Sequence, residues 1–217
     1  MRTARQEEIV QESLALIAER GMQGLTYRNL SARFGITVPA FYRHFASKAD
    51  IVRAVIEYLQ EVSEEVFRDA EAGGIDPLDA LRLVLLGYAR RFAANGGLAA
   101  VLFPDEVGGH DHELQQRILR HMEENQDRLA RLIDDGIAAG LVRSDLPTPR
   151  VAFFAMASLR LEVTRWRLDG RTTDLVARVE ALWADLEVII RPPKPTAAES
   201  APRAAARPAK GAGADHD

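Results

Sequence analysis

Leu25-Thr26-Tyr27-Arg28-Asn29-Leu30-Ser31-Ala32-Arg33-Phe34-Gly35-Ile36-Thr37-Val38-Pro39-Ala40-Phe41-Tyr42-Arg43-His44-Phe45-Ala46-Ser47-Lys48 decides how the rest of the chain is read. Thr26 carries the side chain of a helix N-cap, and Leu30 and Phe34, four residues apart, form the buried face of the short helix that follows. Gly35 must end that helix, because glycine turns the chain into the left-handed region at little steric cost. Thr37 caps the next one. There Pro39 sits in the first turn, where no intrahelical N–H is required, and Phe41 and Phe45 share the inward face. Two helices joined by a glycine turn have the spacing of a helix-turn-helix, whose first member crosses a phosphate backbone while the second lies in the major groove.

Upstream, Thr3 caps a first helix in which Val10, Leu14 and Ile17 recur at i, i+4 and i+7, with Gly21 as its stop. With Phe41 and Phe45 inward, Val38 and Tyr42 share an outward stripe, Pro39 and Arg43 share its neighbour, and His44 closes the helix. Arg28 suits a bidentate contact to guanine, whereas Val38, Pro39 and Ala40 offer apolar surface suited to a thymine methyl. Thr26, Tyr27, Tyr42, His44 and Lys48 are better phosphate partners. The charge pattern agrees. The chain of 217 residues has a net charge of -4, yet Arg20 to Ala49 contains Arg20, Arg28, Arg33, Arg43 and Lys48 and no acid.

The quoted segment resembles the TetR/AcrR family of bacterial transcription regulators over about residues 4 to 55, on Thr26, Gly35, the run Phe41-Tyr42-Arg43-His44-Phe45 and Lys48. By that resemblance Thr26, Tyr42, His44 and Lys48 match phosphate-contacting positions, and Arg28, Val38, Pro39 and Ala40 match positions that face base edges. The family often carries Ser, Gly and Thr where this chain has Thr37, Pro39 and Ala40, so the hydroxyl at position 40 is absent. The implied fold is all-α: an N-terminal three-helix helix-turn-helix DNA-binding domain (residues 1–48) and a C-terminal helical-bundle ligand-binding and dimerisation domain (49–191). Residues 192–217, rich in Ala and Pro, are expected to be a disordered tail without assigned function.

Beyond Lys48 the sequence stays helical. Ser47 and Asp50 form a capping box, and Ile51, Val55, Leu59, Val62 and Val66 recur at three and four until Gly73-Gly74. Asp76-Pro77 opens a helix carrying Leu81, Leu85, Tyr88 and Phe92; a short apolar piece stops at Pro104; a long helix runs from about His112 to Gly140. Thr148-Pro149 opens a helix ending near Asp169-Gly170, and Thr173 precedes one that runs to Arg191 before Pro192-Pro193. Val176, Val179, Trp183, Leu186 and Ile190 form one apolar stripe on the last helix, and Val151 to Leu159 is apolar all round. Packing this helix pair against its copy would give a four-helix seam and a twofold dimer, with an ordinary intrachain core as the alternative.

Candidate pocket residues are Tyr88, Phe92, Phe103, Phe154 and Trp166, with core packing as the competing role, and Arg160, which interrupts the most apolar helix. Arg160 either anchors an anionic ligand, pairs with a carboxylate or snorkels at a dimer edge. His110 and His112 lie in an acidic loop with His121 further on, but the chain lacks an i, i+4 histidine pair, so neither a metal nor another cofactor is expected. The absence of Cys removes thiolate chemistry, and G-x-S-x-G, Walker, G-x-G-x-x-G and H-E-x-x-H patterns are all missing, so the chain does not read as an enzyme. With no signal-like leader and no long apolar run, a cytoplasmic location without membrane attachment is expected. Two functions remain: a dimeric repressor that releases a palindromic DNA operator on binding a small molecule, and a DNA-bound architectural or protein-interaction module of the same fold. A closed cavity lined by Tyr88, Phe92 and Trp166 would favour the first, a filled core with an exposed apolar patch the second.

Overall fold

The computed structural model describes residues 2–101 and 112–193, and among them every regular element is a helix. They are α1 (Ala4–Gly24), α2 (Tyr27–Phe34), α3 (Val38–Phe41), α4 (Lys48–Glu71), α5 (Pro77–Ala94), α6 (Gly96–Val101), α7 (His112–Ala138), α8 (Thr148–Leu168) and α9 (Leu175–Ile190). The expected tail, Phe103 and His110 with its acidic neighbours lie outside the described residues from Lys194 onward and between 102 and 111.

Local chemistry explains most helix boundaries. Thr3 and Gln6 form a reciprocal capping box at the start of α1, and Gly21, at φ +64°, breaks the helix one turn before its end at Gly24. Thr26 Oγ1 accepts from the Asn29 N–H at 3.1 Å, and Gly35, at φ +62°, closes α2 in the left-handed conformation. The turn before α4 uses only part of the expected box. Ser47 Oγ accepts from the Asp50 N–H, but the Asp50 carboxylate takes the Ser47 hydroxyl proton at 2.8 Å. Asp174, rather than Thr173, caps α9 by accepting from the N–H groups of Val176 and Ala177.

The third helix is shorter than the sequence suggests. Regular geometry ends at Phe41, and Tyr42 to His44 form turns, although the Phe45 N–H still reaches the Phe41 carbonyl. Phe41 is fully buried and Phe45 nearly so, whereas Phe34 is only half-buried, its ring lying under the Arg5 guanidinium at 4.4 Å. Truncating Phe41 to Ala would cost about 3–5 kcal/mol and loosen the head.

In the body, α5 lies centrally and touches α4, α6, α7, α8 and α9. Head and body share one continuous buried cluster. Their tightest junction is between α1 and α6, where a Cβ on Gly97 would sit 2.1 Å from the Leu14 carbonyl oxygen, so only a residue without a side chain permits this approach.

Candidate functional site

The head presents Thr26, Arg28, Pro39, Tyr42, Arg43 and Lys48 to solvent, with Val38, Ala40 and His44 half-exposed beside them. The start of α2, capped by Thr26, and the single turn of α3, where Thr37 makes no side-chain capping bond contrary to the sequence expectation, place short polar and apolar groups on one side of the fold, while Phe41 and Leu30 anchor the other. Lys48 donates to the Met22 carbonyl at 3.2 Å, which positions its ammonium and leaves further N–H bonds for a phosphate.

Two sequence expectations for this face change. Tyr27 was expected to hold phosphate, but its hydroxyl donates to the Phe45 carbonyl at 2.9 Å, and its ring meets Tyr42 at 4.4 Å and Phe41 at 5.6 Å. Its only proton is committed, so Tyr27 holds the turn that follows α3 and is not placed to donate to a phosphate. Arg33, counted in the acid-free basic window, is folded onto α1, where it pairs with Glu12 at 2.9 Å and Glu19 at 2.5 Å. A window without acids in sequence therefore meets acids in space, and the positive charge on the open face is carried by Arg28, Arg43 and Lys48.

The body contains a cavity of about 290 Å³ between α4, α5, α7 and α8. Tyr88, Phe92 and Arg160, expected from sequence, line it, and Leu59, Ile118, Met122, Phe153 and Met156 supply most of the remaining wall. Phe154 and Trp166 do not. Phe154 is 53% exposed on the outside of α8, and Trp166 is buried elsewhere, its indole N–H donating to the Thr173 carbonyl at 3.0 Å. The α8 register accounts for Phe154: Phe153 and Met156 line the cavity, Phe153 while still 52% exposed, so the next residue turns away.

A polar cluster interrupts this apolar wall. Ser63 Oγ donates to the Leu59 carbonyl at 3.1 Å and lies 3.0 Å from His121 Nε2, while Asn125 Nδ2 lies 3.1 Å from the same nitrogen. Burial holds the His121 imidazole below its ordinary range, with Glu124 and Glu64 opposing, so the ring is neutral at neutral pH. Burial pushes the Tyr88 phenol up to about 12. Ser63 neighbours the phenol, but their geometry is not that of a hydrogen bond, and the hydroxyl has no partner among the described residues. An unmet buried hydroxyl costs about 1–3 kcal/mol, and Tyr88 belongs to the cavity wall, so a ligand whose entry uncovers this oxygen would recover that cost.

Sequence reading missed Ser63, Asn125 and the role of His121. The signal was there: on α7 the buried stripe Leu114, Ile118, His121, Asn125, Leu129, Ile133 is apolar except at its two central positions.

The expected seam residues also require correction. Val179, Trp183, Leu186 and Ile190 are buried within a single chain and Val176 is half-buried, because this stripe packs inward on α5 and α8. The open apolar surface of the pair is the opposite one: Phe154, Leu161 and Leu168 on α8, and Val188 and Ile189 on α9, each more than half exposed. Periodicity identifies a stripe but not which of two neighbours covers it.

A compact helical head with a helix-turn-helix, seated on a helical body that contains a cavity, has the architecture of a DNA-binding regulator. Residues 9–55 match the model for bacterial regulatory proteins of the tetR family, and residues 74–182 match the tetracyclin repressor-like C-terminal domain. The chain belongs to the TetR family of DNA-binding transcriptional regulators. It is 33% identical over 140 residues to the nucleoid occlusion factor SlmA of Photobacterium profundum, covering 61% of this chain and 68% of that protein. It is 24% identical over 197 residues to the HTH-type transcriptional regulator TtgR of Pseudomonas putida, covering 83% and 92%. The fold matches the fatty acid degradation regulator FadR of Bacillus halodurans with a TM-score of 0.76 at 20% identity, over 86% of this chain and 96% of that one. No described helix is long and apolar enough to cross a membrane.

Proposed function

We propose that the chain is a homodimeric repressor, its residues 1–48 gripping a palindromic operator and residues 49–191 binding the small molecule that releases it. The observation that carries this reading is the course of α4. One uninterrupted helix begins at Lys48, on the DNA-facing side, and brings Leu59 and Ser63 into the cavity wall. From Lys48 to Ser63 the helix spans about 22 Å at 1.5 Å per residue, so a ligand that displaces the inner end of this lever tilts the outer one. In a dimer, two heads held about 34–36 Å apart would meet successive major-groove turns, and a change in tilt alters that separation. Arg28, Val38, Pro39 and Ala40 then face bases, and Thr26, Tyr42, His44 and Lys48 face phosphates.

The test is direct. The purified protein should select palindromic fragments from its own genome at low ionic strength, and footprints should span two half-sites. Failure to bind any double-stranded fragment would remove the reading.

A second reading, a DNA-bound module of the same fold with no small-molecule effector, is supported by the similarity to nucleoid occlusion factors. The cavity lined by Tyr88 and Phe92 supports ligand sensing, since such a module would gain stability from a filled core. The open mouth of the cavity, the absence of Trp166 from its wall and the exposed apolar surface of α8 and α9 are the features that the second reading shares.

A further inference from the structure

We infer that the cavity takes an uncharged, mainly apolar molecule that presents a carbonyl oxygen, as in a ketone, ester or lactone, to the Tyr88 hydroxyl. This rests on the reading of the chain as an effector-responsive regulator and names the chemistry of the effector. Three observations lead to it. The wall is overwhelmingly hydrocarbon and aromatic, with Tyr88 and Phe92 stacked at 5.8 Å, so most of the ligand surface must be apolar. The volume, about 290 Å³, equals that of roughly ten water molecules and suits a compact ligand.

The third observation fixes polarity. Ser63 gives its proton to Leu59, and His121 and Asn125 are occupied with each other and with Ser63. The hydroxyl left over is that of Tyr88, 3% exposed and without a hydrogen-bond partner among the described residues. A neutral phenol in that position donates, so the matching ligand atom accepts. A carboxylate would find little compensation here: the His121 imidazole is neutral, and Arg160, the cation of the cavity wall, is already engaged by other groups of the protein. The inner end of the ligand is therefore a neutral acceptor.

The experiment uses three probes of nearly equal size, 2-acetylnaphthalene, 2-naphthoate and 2-ethylnaphthalene, titrated against the full chain without DNA and followed by calorimetry. The ketone should bind about five- to tenfold more tightly than the hydrocarbon, the gain of one buried hydrogen bond, and the carboxylate should bind most weakly. Tyr88→Phe, which keeps the ring and removes the unmet oxygen, should fold at least as stably, bind the hydrocarbon as before and lose the preference for the ketone. Equal binding of ketone and hydrocarbon, tightest binding of the carboxylate, an unchanged preference in Tyr88→Phe, or no binding by any probe overturns the assignment. Operator release is read separately: a ketone that binds as stated yet leaves DNA binding unaltered contradicts the repressor reading, not the ligand class.

Discussion

The guanidinium of Arg171 donates at 2.9 Å to the main-chain oxygen of Ala18, tying the turn between α8 and α9 to the helix that carries the head. Arg171 holds this position at φ +63°, the one non-glycine residue in the left-handed region among the described residues. The two substitutions at this site separate arm from backbone. Arg171→Ala loses the arm and keeps the unfavourable conformation; Arg171→Gly loses the arm and relaxes it. The glycine variant should be more stable than the alanine variant by about 1 kcal/mol in urea denaturation. Both should speed amide exchange near the end of α1, and unchanged exchange in both would show that the tie does not restrain the head.

Gly97→Ala tests the junction of α1 and α6. Its Cβ would meet the Leu14 carbonyl oxygen at 2.1 Å, and backbone cannot rotate aside as a side chain can. A loss of about 1–3 kcal/mol is expected, read as a lowered urea midpoint at constant slope.

DNA binding should divide the head residues by role. Arg28→Ala is expected to weaken the operator more than random DNA, by about 1–3 kcal/mol, whereas Lys48→Ala weakens both and reduces the salt slope by about one. Tyr27→Phe removes the bond to the Phe45 carbonyl and should weaken both DNAs modestly with the salt slope intact. Fluorescence anisotropy at several salt concentrations distinguishes the three. An Arg28 variant that loses both DNAs equally would contradict its base-facing assignment.

Self-association should respond to the outer stripe and not the inner one. Leu161→Glu or Val188→Glu places a charge on exposed apolar surface and should yield folded monomers in sedimentation. Trp183→Ala, in the core, should instead lower stability by about 3–5 kcal/mol. A dimer untouched by either glutamate would move the interface elsewhere.

The neutral state of His121 makes stability depend on pH in a defined window. Its folded-state pKa lies below the ordinary 6.5, so the unfolded chain takes up the proton first. Stability is therefore full above pH 6.5 and falls as pH drops from there toward the lower folded value. The carboxylates held low by partners, Glu7, Glu19, Asp50 and Asp145, act only in more acidic solution. His121→Gln should flatten the dependence of melting temperature between pH 7.5 and 5.5. An equally steep decline in that variant would assign the effect to another group.

The head was legible because its instructions are local. Thr26, Gly35 and the phenylalanines of Phe41-Tyr42-Arg43-His44-Phe45 act on neighbours within a few residues, and each structural consequence follows from one of them. Tyr88 and Phe92 could be nominated for a pocket, but the choice of Phe153 over Phe154 depends on the rotation of α8 against α7, which no local rule supplies. Arg33 shows the same limit for charge. Its partners Glu12 and Glu19 are 21 and 14 residues away and meet it only when α1 folds across α2. The inner stripe of α9 was correctly apolar and wrongly partnered for that reason.

The brevity of α3 bears on how discrimination can be achieved. A single helical turn offering Val38, Pro39 and Ala40 has no side-chain hydrogen to give a base edge. On the proposed docking, Arg28 alone would ask a hydrogen-bonding question of the sequence. The remainder would be settled by steric fit, through thymine C5 methyl groups and the ease with which particular dinucleotide steps deform. An operator rebuilt with uracil in place of thymine would keep every Watson–Crick pair and still become a stranger to this protein.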